Sequence, residues 1–442
     1  MSAGEDWPDA YRYTPMHPEE SRGCVVVFWH PEWGCPAFQL YRGLLFGLPN
    51  AVTSFNRFSR FAEAVVRRFL FVLFSMYFDD ATMQDWGSTA VGAQSCVAET
   101  MEVLGSPWAE GKTQACASTG DFLGLVHDLS RVPEGIVSFW PRPKLQRKVM
   151  AMVNVAKQCG LPSGAAAKLY GVCNFLESGI FARIGRAGLN PIKERQYDQT
   201  YREVAHDRGA RLLASRRSNT YGRAFGEESP MEGKHGGGLE RALDLLEDLM
   251  KVQPRREYEL GRGQGAPRFL LASDAAYDDG VGMAGFLLVT DPGMPEEARQ
   301  GVVVDIPSSL YALWGVQNTY IAQLELVMAM VAMVECASEM RGRRGVWFID
   351  NTAALFTLVK GRSNKDSLDE IAFVVHAALY ALRAQIYYEW VESESNWADG
   401  ISRHGTRDPW VKRHSFTLQR CGVCTMLLRL PFRAVIQVFE CL

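Results

Sequence analysis

The sequence predicts an α/β protein in which a mixed strand-and-helix N-terminal region and an alternating C-terminal region are joined by a helical middle. Three observations predict it. From about residue 267 onward, short β-branched runs alternate with longer helical stretches. Residues 69–86 read as an apolar run, a polar tip and a returning run, the pattern of a hairpin. Between the two, residues 142–190 carry helical spacing and a basic excess. With 442 residues, 47% hydrophobic and 22% charged, the chain has material for sizeable cores, which excludes global disorder.

Taken in order, Asn50 to Arg68 has helical spacing, with Phe55, Phe58, Phe61 and Val65 on one face. Phe69 to Phe78 is apolar enough for a buried strand, Asp79-Asp80 forms its polar tip, and Ala81 to Trp86 returns. The helices of 142–190 are broken at Gly160-Leu161-Pro162 and at Gly188-Leu189-Asn190-Pro191. Ser218 to Gly238 turns to Gly, Ser and Glu and reads as a linker, followed by a short amphipathic helix from Leu239 to Lys251. Phe269–Ser273, Met283–Val289 and Val302–Ile306 read as strands. Thr319–Met340 is a long helix with Ile321, Leu324, Val327, Val331 and Val334 on one face. Strand Val346–Ile349, helix 351–360, a helix from Ser367 with Glu370 completing a capping box, strand Ile386–Val391 and a short helix from Asn396 complete the set. That order makes a mixed sheet with helices packed on it.

Net charge is −3, but residues 142–223 hold 16 Lys/Arg against 5 Asp/Glu, a local +11 that leaves −14 for the rest. A basic middle between acidic flanks suits a phosphate backbone running beside metal-binding carboxylates; the plainer reading is a solvated helical surface. Ten cysteines without a dense, evenly spaced framework argue for a reducing compartment and against a disulfide scaffold. Cys421-Gly422-Val423-Cys424, with His404 and His414 upstream, fits no common zinc spacing. The N-terminus lacks a basic-then-apolar leader, and the longest apolar run is about half a membrane span. The expectation is an intracellular protein, cytoplasmic or nuclear and not secreted, with no membrane contact.

Four acids of the C-terminal region stand at element ends beside apolar anchors: Asp274 closing the first strand, Glu325 early in the long helix, Asp350 closing the fourth strand and Asp399 opening the last helix. Singly, each reads first as an ordinary solvated loop residue. Together, four converging carboxylates repel, and divalent cations are the usual remedy. Their contexts, Asp274-Ala275-Ala276, Gln323-Leu324-Glu325, Phe348-Ile349-Asp350-Asn351 and Asn396-Trp397-Ala398-Asp399-Gly400-Ile401-Ser402-Arg403, resemble the ribonuclease H domain of retrotransposon reverse transcriptases over residues 267–405. The resemblance implies an endonuclease that cuts the RNA strand of RNA–DNA hybrids. It makes Asp274, Glu325, Asp350 and Asp399 catalytic ligands of two Mg²⁺ ions, with Mn²⁺ as a substitute. Cellular members carry a mobile His before the last Asp; here that stretch is Glu392-Ser393-Glu394-Ser395-Asn396.

The N-terminal region is similar to the palm of reverse transcriptases from DIRS-like and gypsy-like retrotransposons, over about residues 5–125. The motifs are Asp6-Trp7-Pro8-Asp9-Ala10-Tyr11-Arg12, Leu45-Phe46-Gly47-Leu48-Pro49-Asn50-Ala51 with Phe55, Tyr77-Phe78-Asp79-Asp80, Leu104-Gly105 leading to Glu110-Gly111-Lys112, and Asp121-Phe122-Leu123-Gly124. The likeness implies an RNA-directed DNA polymerase in which Asp6 and Asp79 hold two Mg²⁺ ions and Asp80 supports them. Phe46 and Gly47 would position template and nucleotide. Tyr11 would gate against a ribose 2′-hydroxyl, or else be a packed core tyrosine; Lys112 would meet phosphate, or else face solvent.

Only five residues precede Asp6, where such polymerases carry a fingers subdomain, and Ser2–Glu5 offers no apolar anchor for the strand that should present it. The expectation is a truncated palm with weak or absent polymerisation. The implied organisation is palm 1–130, basic thumb or connection region 131–217, linker 218–238, connecting helix and loop 239–266, ribonuclease H-like domain 267–408 and tail 409–442. Implied partners are an RNA–DNA hybrid or template–primer, with deoxynucleoside triphosphates if the palm works; oligomeric state stays open. The alternative is a catalytically inactive, nucleic-acid-binding remnant.

Overall fold

A computed structural model describes residues 1–9, 12, 14–45, 47–48, 50–177, 183–197, 236–260, 268–278 and 280–442. The chain divides into two units, Met1–Arg142 with Glu257–Gly261, and Pro143–Arg256 with Arg262–Leu442. Both are mixtures of helices and sheets, as the α/β reading requires.

In the first unit, β1 (Ser2–Asp6), β4 (Leu73–Tyr77), β5 (Asp80–Gln84) and β6 (Gln114–Ala117) form one sheet in the order β4-β5-β1-β6. β2 (Val25–His30) and β3 (Cys35–Leu40) pair as a hairpin. β7 (Thr119–Phe122), β8 (Leu125–Asp128), β9 (Ile136–Pro141) and β10 (Arg256–Glu259) form a second four-stranded sheet. Helices α1 (Ala51–Val65) and α2 (Ala90–Val103) accompany them. The strand carrying Asp6 therefore forms despite its composition. β1 is buried because β5 and β6 flank it on both edges, and small Ala3 and Gly4 let them close over it.

Two local expectations are corrected. The buried face of α1 is Ala51, Phe55, Ser59, Ala62 and Glu63, while Phe58 and Phe61 are exposed. The run Phe69–Phe78 is not one buried strand: Val66–Leu70 forms a π-turn and Phe71 adopts φ 55°, so Phe69 and Phe71 point to solvent. Only Leu73–Tyr77 pairs, with Phe74 and Met76 facing the core.

The second unit centres on a six-stranded sheet of β11 (Phe269–Asp278), β12 (Val281–Thr290), β13 (Ala298–Asp305), β14 (Arg344–Ile349), β15 (Gln385–Trp390) and β16 (Thr417–Gly422), in the order β15-β14-β11-β12-β13-β16. β11, β12 and β13 are antiparallel neighbours, β14 and β15 run parallel on one side, and β16 joins β13 in parallel. Helices α3 (Pro143–Cys159), α4 (Ser163–Leu176), α5 (Asn190–Arg195) and α6 (Gly236–Val252) belong to this same unit and share its core. α6 starts at Gly236, inside the stretch read as linker; residues 198–235 lie outside the described ones. Part of the basic excess is consumed internally, since Lys157 pairs with Asp244 and Glu247 and Arg195 Nε donates to the Leu161 carbonyl.

α7 (Ser309–Trp314) precedes α8 (Ile321–Glu335), and α9 (Thr352–Lys360) and α10 (Asp366–Leu382) lie between β14 and β15 in sequence. α8 was expected to bury one face; instead every residue from Gln323 to Met333 is buried. Its sequence is apolar nearly all round, as befits a helix packed against both the sheet and α10. The expected capping box is also absent. α10 begins at Asp366, so Ser367 sits inside its first turn and accepts from Gln323 Nε2 at 3.2 Å.

α11 (Asp399–His404) and α12 (Pro409–Arg413) cover the opposite sheet face over Ala272, Leu287 and Val303, and α13 (Phe432–Cys441) closes the chain against α10. Gly285 makes the approach of α11 possible, since a Cβ there would lie 2.9 Å from the Val302 carbonyl oxygen and 3.0 Å from Ile401. Gly285→Ala should therefore push α11 outward and destabilise the second unit by about 1–3 kcal/mol, measured by denaturant unfolding. Unchanged stability would show that the sheet yields instead. Among the described residues, no helix is long and apolar enough to cross a membrane.

Candidate metal centre

The site lies where one ladder stops and another continues. β11 pairs with β14 only from Phe269 to Ala272, but with β12 all the way to Asp278. Asp274 thus stands within β11, not at its end as the sequence suggested. Asp350 follows β14 directly. α8 supplies Glu325. One carboxylate oxygen from each of Asp274, Glu325 and Asp350 lies within 4.8 Å of the others.

Each acid is held by a defined partner. Glu325 Oε1 accepts from the Ala275 backbone N–H at 2.9 Å. Ser402 of α11 donates its hydroxyl to Asp274 Oδ2, and Ser393 donates to Asp350 Oδ2. Asn396 fixes the loop between them: its Nδ2 donates to the Ser273 carbonyl at 2.9 Å and its Oδ1 accepts from Ala398 N–H at 3.1 Å. Asn351 caps α9 by accepting from Ala354 N–H at 3.0 Å, which orients the chain leaving Asp350.

The electrostatics are those of an uncompensated site. Burial, with the charges of Asp274 and Asp350 added, raises the Glu325 carboxyl well above the usual range. Burial also pushes Asp274 up to about 6; the Ser402 hydrogen bond opposes this, and Asp350 and Asp399 reinforce it. Glu325 Oε2 is buried and has no hydrogen-bond partner. A buried carboxylate oxygen without a donor, facing two further carboxylates, fits a hard divalent cation. The all-oxygen set suits Mg²⁺ or Mn²⁺.

Asp399, the fourth expected ligand, stands outside this group of three. Arg403, one helical turn on, holds Asp399 Oδ1 at 2.7 Å. Serines 393 and 402 and Asn396 hold the acids and the loop between them, a support that the carboxylate pattern alone does not reveal. The signal for Ser402 was its spacing: three residues after Asp399, it shares that residue's helix face.

In the first unit, Asp6 and Asp80 are direct cross-strand partners and Asp79 lies in the two-residue turn between β4 and β5. The turn tip is Phe78-Asp79, with Phe78 at φ 54° and its carbonyl accepting from Ser59 Oγ at 2.6 Å. Burial, then the charges of Asp79 and Asp6, raise the Asp80 carboxyl. Lys112 sits on Asp6 at 2.7 Å, so it meets a carboxylate in this structure. Among the described residues, these three acids do not bring one carboxylate oxygen each within 4.8 Å of one another, as Asp274, Glu325 and Asp350 do. Glu5, unremarked in the sequence, is buried and accepts from Gln94 at 2.7 Å and Thr113 at 2.9 Å, tying β1 to α2 and to the start of β6. Gly47 adopts φ 92°, a left-handed conformation that favours glycine; Tyr11 and Phe46 lie outside the described residues.

No protein-family model matches the chain, and no curated protein matches its sequence. Solved structures do. The chain is similar to the foamy viral protease-reverse transcriptase dRH in complex with double-stranded DNA, at TM-score 0.41 and 11% identity over 88% of this chain and 56% of that one. Structures of the foamy viral protease-reverse transcriptase with an RNA/DNA hybrid (TM-score 0.38, 12% identity, 88% and 44% covered) and with double-stranded DNA (0.39, 12%, 88% and 67%) are similar too. The chain thus spans about half to two thirds of the length of these proteins.

Proposed function

We propose that the second unit is a metal-dependent nuclease that cuts the RNA strand of RNA–DNA hybrids, in a protein derived from a retrotransposon reverse transcriptase. The observation that carries it is the meeting of Asp274, Glu325 and Asp350 around the unsatisfied Glu325 Oε2. The choice of substrate rests on the four motifs that carry these three residues and Asp399. A bound divalent cation would supply Lewis-acid activation of water and neutralise the leaving oxygen of a phosphodiester.

The protein's own part is placement. Asp274, Glu325 and Asp350 would hold the ion, Ser402 and Ser393 keep two of the carboxylates in register, and Asp399 would join by exchanging its Arg403 partner. A labelled RNA annealed to DNA should be cut with Mg²⁺ and left whole with a chelator. An intact RNA in both samples would sink the proposal.

For the first unit a second reading is favoured, that of a nucleic-acid-binding palm without effective polymerase activity, because Lys112 neutralises the Asp6 carboxylate that would serve a metal. Templated primer extension with deoxynucleoside triphosphates should yield little or no product from this chain. Extension at the pace of an intact polymerase would overturn that reading.

A further inference from the structure

An aromatic file links β14, the turn before α11, and α12 with the residue that follows it. Phe348 lies against Trp397, ring centres 5.6 Å apart. Trp397 is stacked toward Trp410 at 6.4 Å and 24°, and Trp410 stacks on His414 at 4.1 Å and 29°. The file starts beside the chemistry: Phe348 is two residues before Asp350, and Trp397 two before Asp399.

Packing accounts for only part of it: Phe348 rests on the buried cluster of the sheet face and Trp410 meets its Phe416. The buried cluster beneath α11 and α12 is built from Ala398, Ile401, Val411 and Phe416, and neither tryptophan belongs to it. Trp397 and Trp410 remain 37% and 36% exposed. The flank is cationic: Arg407, Lys412 and Arg413 are exposed and make no ion pair among the described residues. Exposed indoles in a row beside unpaired cations form a surface on which bases stack while phosphates are neutralised.

We infer that this file is a stacking platform for the unpaired bases of a single nucleic-acid strand leaving the cleavage site. The inference rests on the nuclease reading of that site and adds a partner to it: the single-stranded flank of a hybrid, not the duplex itself. Such stacking tolerates any base, so little sequence preference is expected.

The test uses the full chain, a short labelled oligothymidine and a blunt RNA–DNA hybrid, with binding read by fluorescence anisotropy at several salt concentrations. Trp410→Ala and Trp397→Ala should each weaken oligothymidine binding by about tenfold, and Trp410→Phe should retain most of it. Affinity for the blunt hybrid should not change. Trp410 also touches the buried Phe416, 5.9 Å between ring centres, so circular dichroism must show each variant folded. Lys412→Glu, which touches no core, offers an independent arm and should flatten the salt dependence.

Folded alanine variants that bind oligothymidine like the parent would overturn the inference, as would a parent that does not bind it. Cleavage of the hybrid is scored separately. Loss of oligothymidine binding in a protein that never cuts would leave the platform standing and remove the nuclease reading. Normal cutting with unaltered oligothymidine binding would do the reverse.

Discussion

Asp350→Asn should lower Mg²⁺-dependent cutting of a hybrid's RNA strand by roughly 100-fold or more, the loss expected when a several-kcal/mol metal contribution is withdrawn. The substitution is nearly isosteric and leaves the scaffold alone. Asp350 is only half-buried, the amide can still accept from Ser393, and the Trp390 indole bonds to the backbone carbonyl of residue 350, 3.1 Å away, which is untouched. What changes is one negative charge in a group of three. Mg²⁺ titration by calorimetry should show weakened binding in parallel with the lost rate. A variant that cuts at the parental rate would mean that these carboxylates are not the ion's ligands.

Without divalent cations, the second unit should become less stable as pH rises through and above about 6, and Mg²⁺ should reverse the loss. The sign follows from two raised carboxyls. Asp274 moves from 3.8 up to about 6 and Glu325 rises well above 4.5, in both cases chiefly because burial disfavours the charged form. An acid with a raised native value binds its proton more tightly folded than unfolded. The stability it contributes is complete below the unfolded value and disappears as pH climbs through the folded one. For Asp274 alone the shift corresponds to about 3 kcal/mol. Other groups titrate in the opposite sense, Glu247 among them, held down to about 2 by its bonds to Lys157 and Lys251.

The clean comparison is therefore between the parent and Glu325→Gln, melted in chelator at pH 5 and pH 8. The variant should gain most over the parent at pH 8, because it no longer buries a like charge. It should also lose most of the stabilisation that Mg²⁺ gives the parent. Equal melting temperatures of parent and variant at pH 8, or a Mg²⁺ response preserved in the variant, would refute the account.

The candidate metal site was legible as a set of acids because each follows or interrupts an apolar run long enough to be recognised as strand or helix. Its internal geometry was not. Asp274 was placed at a strand end because the apolar run stops there; the strand in fact continues to Asp278 along β12, which no local pattern signals. Glu325 was seen on a helix thought to be half exposed, and its burial on all sides is what raises its carboxyl and leaves Oε2 without a partner. In the first unit, the polar Ser2–Glu5 segment concealed a central strand, because burial there comes from two neighbours closing over small residues.

By itself the sequence determined what is local: which segments favour strand or helix, where an aspartate would stand next to an apolar anchor, and that the Tyr77–Asp80 segment makes a tight turn. Periods of 2 and 3.6 residues are written in adjacent positions and can be read one element at a time. The tertiary structure alone decided that Asp274, Glu325 and Asp350 meet while Asp399 is held by Arg403, and that two exposed tryptophans line up beside them. The reason is register: residues 51 and 76 positions apart from Asp274 come together only where the β11–β14 ladder ends, and that end point is a property of two paired strands, not of either one.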